Sequence, residues 1–268
     1  MFGFLKKFKA QREAANARAQ EFKEVVSALQ AGHGNPLEGA LVLHLTQDTQ
    51  ETFVQFVLFL GNSDVWMLNK TSERLGDPAM TQASDGNPYV AVFTSQERAS
   101  AALSEWKLAS RPSLISASEL VFGLAPQMGI VINAHHPHLQ WSFPPARIAD
   151  VRTLFERSYS YEVGGIYSVW GRGGYQAIKL LNIEEGGVHV RMYANTWPER
   201  PASIDTAALM LAGADDPAFS IGHMPVVRSH FLSMGPRLVM IERVKDDELE
   251  GYRMWQEAKG GYFGTPTS

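Results

Sequence analysis

The chain has 268 residues, 45% of them apolar and 19% charged, and a formal net charge of −4. That composition belongs to a core-forming globular protein and not to a disordered chain, and the length allows one large domain or two of ordinary size. The acidic balance argues against a nucleic-acid partner, which favours a basic surface. The absence of cysteine excludes disulfides, thiol nucleophiles and thiolate zinc sites, and it fits a reducing compartment.

No apolar run approaches the roughly 18 residues that span a bilayer. Met1 to Phe8 is too short an apolar region for a secretory signal. A cytoplasmic location is therefore expected. Lys6, Lys7, Lys9 and Arg12 stand among the first twelve residues without an acid, so the rest of the chain is more acidic than the mean.

Helical spacing predicts one helix over residues 4–30, with a seam of Leu5, Phe8, Ala15, Ala19, Phe22, Val26 and Leu29, stopped at Gly32-His33-Gly34. This amphipathic stretch, residues 1–32, has three readings. It packs on its own domain, it pairs with another helix, or it lays Phe2, Phe4, Leu5 and Phe8 on an anionic membrane surface. Asn35-Pro36-Leu37-Glu38 is a helix start, with a capping residue, a proline at the first helical position and an acid in the first turn.

A further helix is predicted from about Thr49, ending at Gly61-Asn62, followed by a strand at Val65–Leu68. Residues 69–84 read as a surface loop. Then comes a strand–helix–strand–helix–strand unit: Tyr89–Phe93, a helix opened by Thr94–Arg98, Pro112–Ser116, a helix from about Ala117, and Gly129–Asn133. Thr94/Glu97 and Ser116/Glu119 have capping-box spacing, a structural role favoured over a nucleophilic Thr94 or Ser95. A last helix beginning at about Phe143-Pro144-Pro145, with Ile148, Val151, Leu154 and Phe155 facing the sheet, closes the domain.

Those residues resemble a known family. Asn35–Leu41, the Val65-Trp66-Met67 strand, Phe93-Thr94-Ser95-Gln96-Glu97-Arg98 after an Asp85-Gly86 turn, and Gly129–Asn133 are similar in order and spacing to the N-terminal domain of the SseB family, over roughly residues 34–155. The resemblance implies an α+β fold and a bacterial cytoplasmic protein, and it carries no established catalytic residues. The chain departs from the family's Asn-Pro after the last strand with Asn133-Ala134-His135-His136-Pro137-His138. Of all sequences in the chain this one comes nearest to a metal site, though a solvated loop is the simpler reading and no metal is expected.

Beyond Gly164 the chain turns β-rich, with strands at 166–170, 175–183 and 188–193, and later a helix from about Asp246 with Leu249, Tyr252 and Trp255 on one face. The expected architecture is α+β: the amphipathic helix 1–32, a mixed sheet with packed helices over 33–160, a small half-barrel-like domain over 164–263, and a tail 264–268. Along the third strand Val188, Val190 and Met192 point one way and His189, Arg191 and Tyr193 the other. The Gly171–Gly174 loop fits a tight hairpin turn. Arg172 would serve an anion there, but the loop lacks the Gly-Lys-Ser/Thr of a phosphate loop.

No cofactor motif and no catalytic set stands out. The expected function is that of a non-enzymatic interaction or regulatory protein, of immunity type in one version. It would bind a protein partner through Trp170, Arg172, Tyr175, His189, Arg191 and Tyr193, the residue types that anchor interfaces. One alternative is a hydrolase or transferase with His189 or His223 as base beside Glu184 or Asp205. The other is a peripheral membrane adaptor through residues 1–9.

Overall fold

The structure is a computed structural model and describes residues 2–70, 77–82, 85–108, 111–171, 173–212 and 218–264; the side chains of residues 2–8 lie outside that description. Among the described residues no helix is long and apolar enough to cross a membrane. The fold is α+β with two open sheets. The chain forms two compact units, one of residues Met1–Ile115 with Leu124–Ile148, the other of Ser116–Gly123 with Ala149–Ser268.

The first unit contains α1 (Phe2–Gln30), α2 (Pro36–Gln47), α3 (Gln50–Gly61) and α4 (Gln96–Trp106). Its strands are β1 (Asp64–Leu68), β2 (Met80–Gln82), β3 (Pro88–Phe93), β4 (Pro112–Ser116), β5 (Gly129–Ile132) and β6 (Trp141–Phe143), in the order β4-β1-β3-β5-β6 with β2 on β3. β3 is the centre, antiparallel to β1 and β2 and parallel to β5 in the register Tyr89↔Gly129 to Val92↔Ile132. Tyr89 to Phe93 are all buried, which is why this strand reads as a continuous apolar run instead of alternating. On one side Ala91, Phe93 and Val131 pack with Ala99 and Ala102 of α4. Phe56 of α3 stacks on Phe143 at 5.8 Å.

The caps are readable from the residues. Asn35 accepts from Leu37 N at 2.9 Å ahead of Pro36, and Thr49 and Thr52 close a reciprocal box at the start of α3. Two expectations change here. α4 is capped by Ser95, whose Oγ accepts from Arg98 N, and not by Thr94. The stretch 69–84 contributes β2, although residues 71–76 and 83–84 lie outside the described residues.

α1 packs on its own unit through its second half, and the buried position is Val25. Ala15, Ala19 and Val26 of the expected seam are exposed. Glu21, Val25 and Ala28 form the inward face because Glu21 has polar partners there. Beyond the helix, the chain doubles back so tightly that a Cβ on Gly34 would lie 2.4 Å from Leu29 N.

The second unit contains α5 (Ala117–Gly123), most of α6 (Pro145–Ser158), α7 (Arg228–Ser233) and α8 (Glu250–Ala258). Its antiparallel sheet runs in the order β10-β9-β8-β7-β11, with β7 (Gly165–Gly171), β8 (Gly174–Glu184), β9 (Gly187–Trp197), β10 (Ile221–Val226) and β11 (Arg237–Ile241). The Gly222–Pro225 segment, expected as a loop, is therefore part of a strand. Pro225 is tolerated because β10 is an edge. α5 packs with α7, and Val151 and Phe155 of α6 are buried.

Candidate functional site

The first unit brings together residues that lie far apart in sequence. β3 and β5 are parallel, and their carboxyl ends deliver Thr94 and Asn133 side by side. Asn133 sits in the left-handed region at φ +50, a conformation asparagine tolerates better than most residues. Its Oδ1 accepts from Thr94 N at 3.0 Å and its Nδ2 donates to Leu139 O at 3.2 Å. The Thr94 hydroxyl donates to Glu38 in a short hydrogen bond, and Asn35 Nδ2 donates to Thr94 O at 2.7 Å. The start of α2 is thereby fastened to the end of β3.

Arg98, one turn into α4, completes the arrangement. Its Nε donates to Glu38 Oε1 at 2.7 Å and its Nη2 to Glu38 Oε2 at 3.3 Å, a side-on fork. Nη1 lies 3.5 Å from Glu21 of α1. Burial works against the Arg98 charge, but Glu38 and Glu21 together raise its pKa above the ordinary value. Glu21 is also 3.1 Å from His136 Nε2. His136 Nδ1 accepts the backbone N–H of Leu139 at 3.1 Å, so the ring proton belongs on Nε2 and points at Glu21. Burial holds the His136 pKa below the usual imidazole value, with Glu21 opposing.

Beside this closed network lies a cleft of about 600 Å³. Its floor is buried Phe93, Ala102, Asn133 and Ala134; its rim carries exposed Glu97, Glu105 and His135. Ser95 Oγ is occupied by the α4 cap, and the network's acids and bases face one another. Among the described residues no group of three or more histidines and carboxylates is placed to hold a metal. In the histidine run, His135 sets its ring edge-on to Trp106, and the His138 backbone N–H donates to His136 Nδ1 at 3.3 Å.

The second unit places the residues expected to bind. Trp170 and Tyr175 meet edge-on at 5.0 Å, and the Arg200 guanidinium lies 4.5 Å over the Tyr175 ring. Arg172 lies outside the described residues, as do the side chains of Phe2, Phe4, Leu5 and Phe8. Tyr175, His189 and Tyr193 are buried in the chain itself. Along β9, Tyr252 and Trp255 stand against His189, Arg191 reaches Glu248, and Tyr193 packs with Ile166, Ala177 and Ile204. Fully buried Lys179 donates to Glu248 at 2.7 Å and to Arg243 O at 3.1 Å, and Arg191 reaches the other Glu248 oxygen at 3.4 Å.

His189 bonds through Nδ1 to His223 Nε2 at 2.9 Å, and Trp255 and Tyr252 stand edge-on to its ring at 4.5 and 4.8 Å. Burial pushes the His189 pKa down to about 4, and His223 is lowered by burial as well. Glu184 accepts from Tyr252 at 2.5 Å, and Tyr262 stands 3.5 Å from both Glu184 and His189. Asp205 caps a 3-10 turn. The described contacts of His189 and His223 thus join them to each other and to tyrosine, with Glu184 reached only through the phenols.

A parallel strand pair whose carboxyl ends carry a polar cluster, flanked by capped helices, defines the first unit as an α+β domain with an open mixed sheet. Residues 37–150 match the family model described as the SseB protein N-terminal domain, and the chain carries that domain. The match contains Glu38, Thr94, Arg98 and Asn133; Glu21 and Asn35 precede it. No curated protein and no solved structure matches the chain.

Proposed function

We propose that the chain is a non-enzymatic interaction protein of the bacterial cytoplasm, regulatory or immunity-like, which recognises a protein partner at the cleft of its first unit. The observation that carries this reading is the closure of the network next to the cleft. Glu38, Arg98, Thr94 and Asn133 satisfy one another and so stiffen the cleft wall. A preformed concave surface with a buried apolar floor and a charged rim suits recognition. The acidic balance of the chain suits a protein partner more than nucleic acid.

A photo-crosslinking residue in place of exposed Ala101 at the cleft, with another in place of Phe59 on α3 as a control, tests this in the native cells. One discrete protein adduct from position 101 and none from position 59 is the expected result. Adducts absent from both, with the protein folded, would refute the reading.

A further inference from the structure

Resting on that protein-binding reading, we propose that the cleft takes an extended basic segment of the partner, two of whose lysine or arginine side chains, four residues apart, pair with Glu97 and Glu105. Both glutamates are exposed on the cleft rim, and neither takes part in an ion pair among the described residues. Arg98, the guanidinium lining the same cleft, is already matched by Glu38 and Glu21. The rim therefore carries two negative charges outside ion-pair distance of any described cation, with Arg98 acting on Glu97 from beyond that distance. Glu97 is held in its charged form by its own backbone N–H and the Ser95 hydroxyl, which lower its pKa.

The spacing sets the register. Residues 97, 101 and 105 lie on one face of α4, and eight residues of helix rise about 12 Å. An extended chain advances about 3.3 Å per residue and presents alternate residues on the same side. Two cations on one side at that separation are four residues apart. The floor of Phe93, Ala102 and Ala134 is apolar and mostly small, which leaves room for the methylene stems of the long cationic side chains while their heads reach the rim.

The test is selection of a random dodecapeptide display library on the full-length protein, with full-length Glu97→Gln/Glu105→Gln as the counter-target. Both substitutions are at exposed sites, and an unchanged melting temperature verifies that the variant is folded. Expected is enrichment of peptides with a lysine or arginine pair four apart, and about tenfold weaker binding of a synthetic representative to the double variant, the size that two exposed ion pairs supply. Raising the salt should remove most of that difference. Enriched peptides without a basic pair, or equal binding to both proteins, would overturn the proposal. If a partner from cells binds wild type and double variant alike, the basic-segment assignment falls while the protein-binding reading stands. If neither peptide nor partner binds, both fall.

Discussion

Replacing Glu38 by alanine removes the acceptor of three hydrogen bonds at once: two from Arg98, at 2.7 and 3.3 Å, and one from the Thr94 hydroxyl. Arg98 is then left with Glu21 at 3.5 Å as its remaining described acid. Hydrogen bonds to charged groups contribute about 1.5–3 kcal/mol each, and stripping the partner from a fully buried pair costs about 3–5 kcal/mol. The Arg98 side chain keeps 20% of its surface in water, so rehydration recovers part of the loss. A net destabilisation of about 2–3 kcal/mol is expected, and about 1 kcal/mol for Glu38→Gln, which keeps an acceptor. The two units need not unfold together, so native-state hydrogen exchange is the suitable assay. Peptides covering β3, α4 and the 129–139 turn should exchange on the order of 30–150 times faster, while those covering β8 and β9 should not change. Exchange within about threefold of wild type in the first set would refute the idea that this network holds the cleft wall.

Other outcomes follow from the same geometry. Asn133→Ala loses the bonds to Thr94 N and Leu139 O and puts alanine, which tolerates positive φ less well than asparagine, in the left-handed region, so thermal melting of the first unit should reflect a loss of about 2–3 kcal/mol. Gly34→Ala would press its Cβ against the Leu29 backbone and loosen the end of α1, visible as faster proteolysis around residues 21–34; unchanged cleavage would count against it. The His189 proton equilibrium gives a pH dependence. In the folded chain this imidazole titrates at about 4, against about 6.5 when solvated, so between these values the unfolded chain binds the extra proton. The stability contributed is complete above about pH 6.5 and declines as the pH falls towards 4, by at most about 3 kcal/mol. Urea midpoints of wild type and His189→Gln measured across that range should converge on acidification; parallel profiles would contradict the assignment.

Much of the fold is legible in the residues themselves. The Asn35-Pro36 cap, the Thr49 cap and the apolar run of β3 are local chemistry, and each lies where sequence alone puts it. The polar network is not local. The hydrogen bonds that join Glu38, Thr94, Arg98 and Asn133 span 39 to 60 positions, and only strand pairing and helix packing bring these residues together. The family resemblance carries a signal, because three of its four segments are ones that meet. Thr94 has the capping-box spacing to Glu97, but its tertiary partners withdraw it from that role, and Ser95 takes it. The β10 strand was hidden by Gly222 and Pro225, which read as turn residues until the strand is seen at an edge. On β9 the alternation predicts the two faces, but what covers His189 on the polar one lies 63 and 66 positions later, in Tyr252 and Trp255 of α8.

The most direct measurement is affinity purification of the full-length chain from its own cells, wild type beside Glu97→Gln/Glu105→Gln, with the co-purifying proteins quantified by mass spectrometry. The account predicts one protein recovered in near-equal amount with the wild type, depleted severalfold by the double variant, and carrying an accessible basic segment. An empty wild-type lane, or the same partner recovered equally by both proteins, would contradict it.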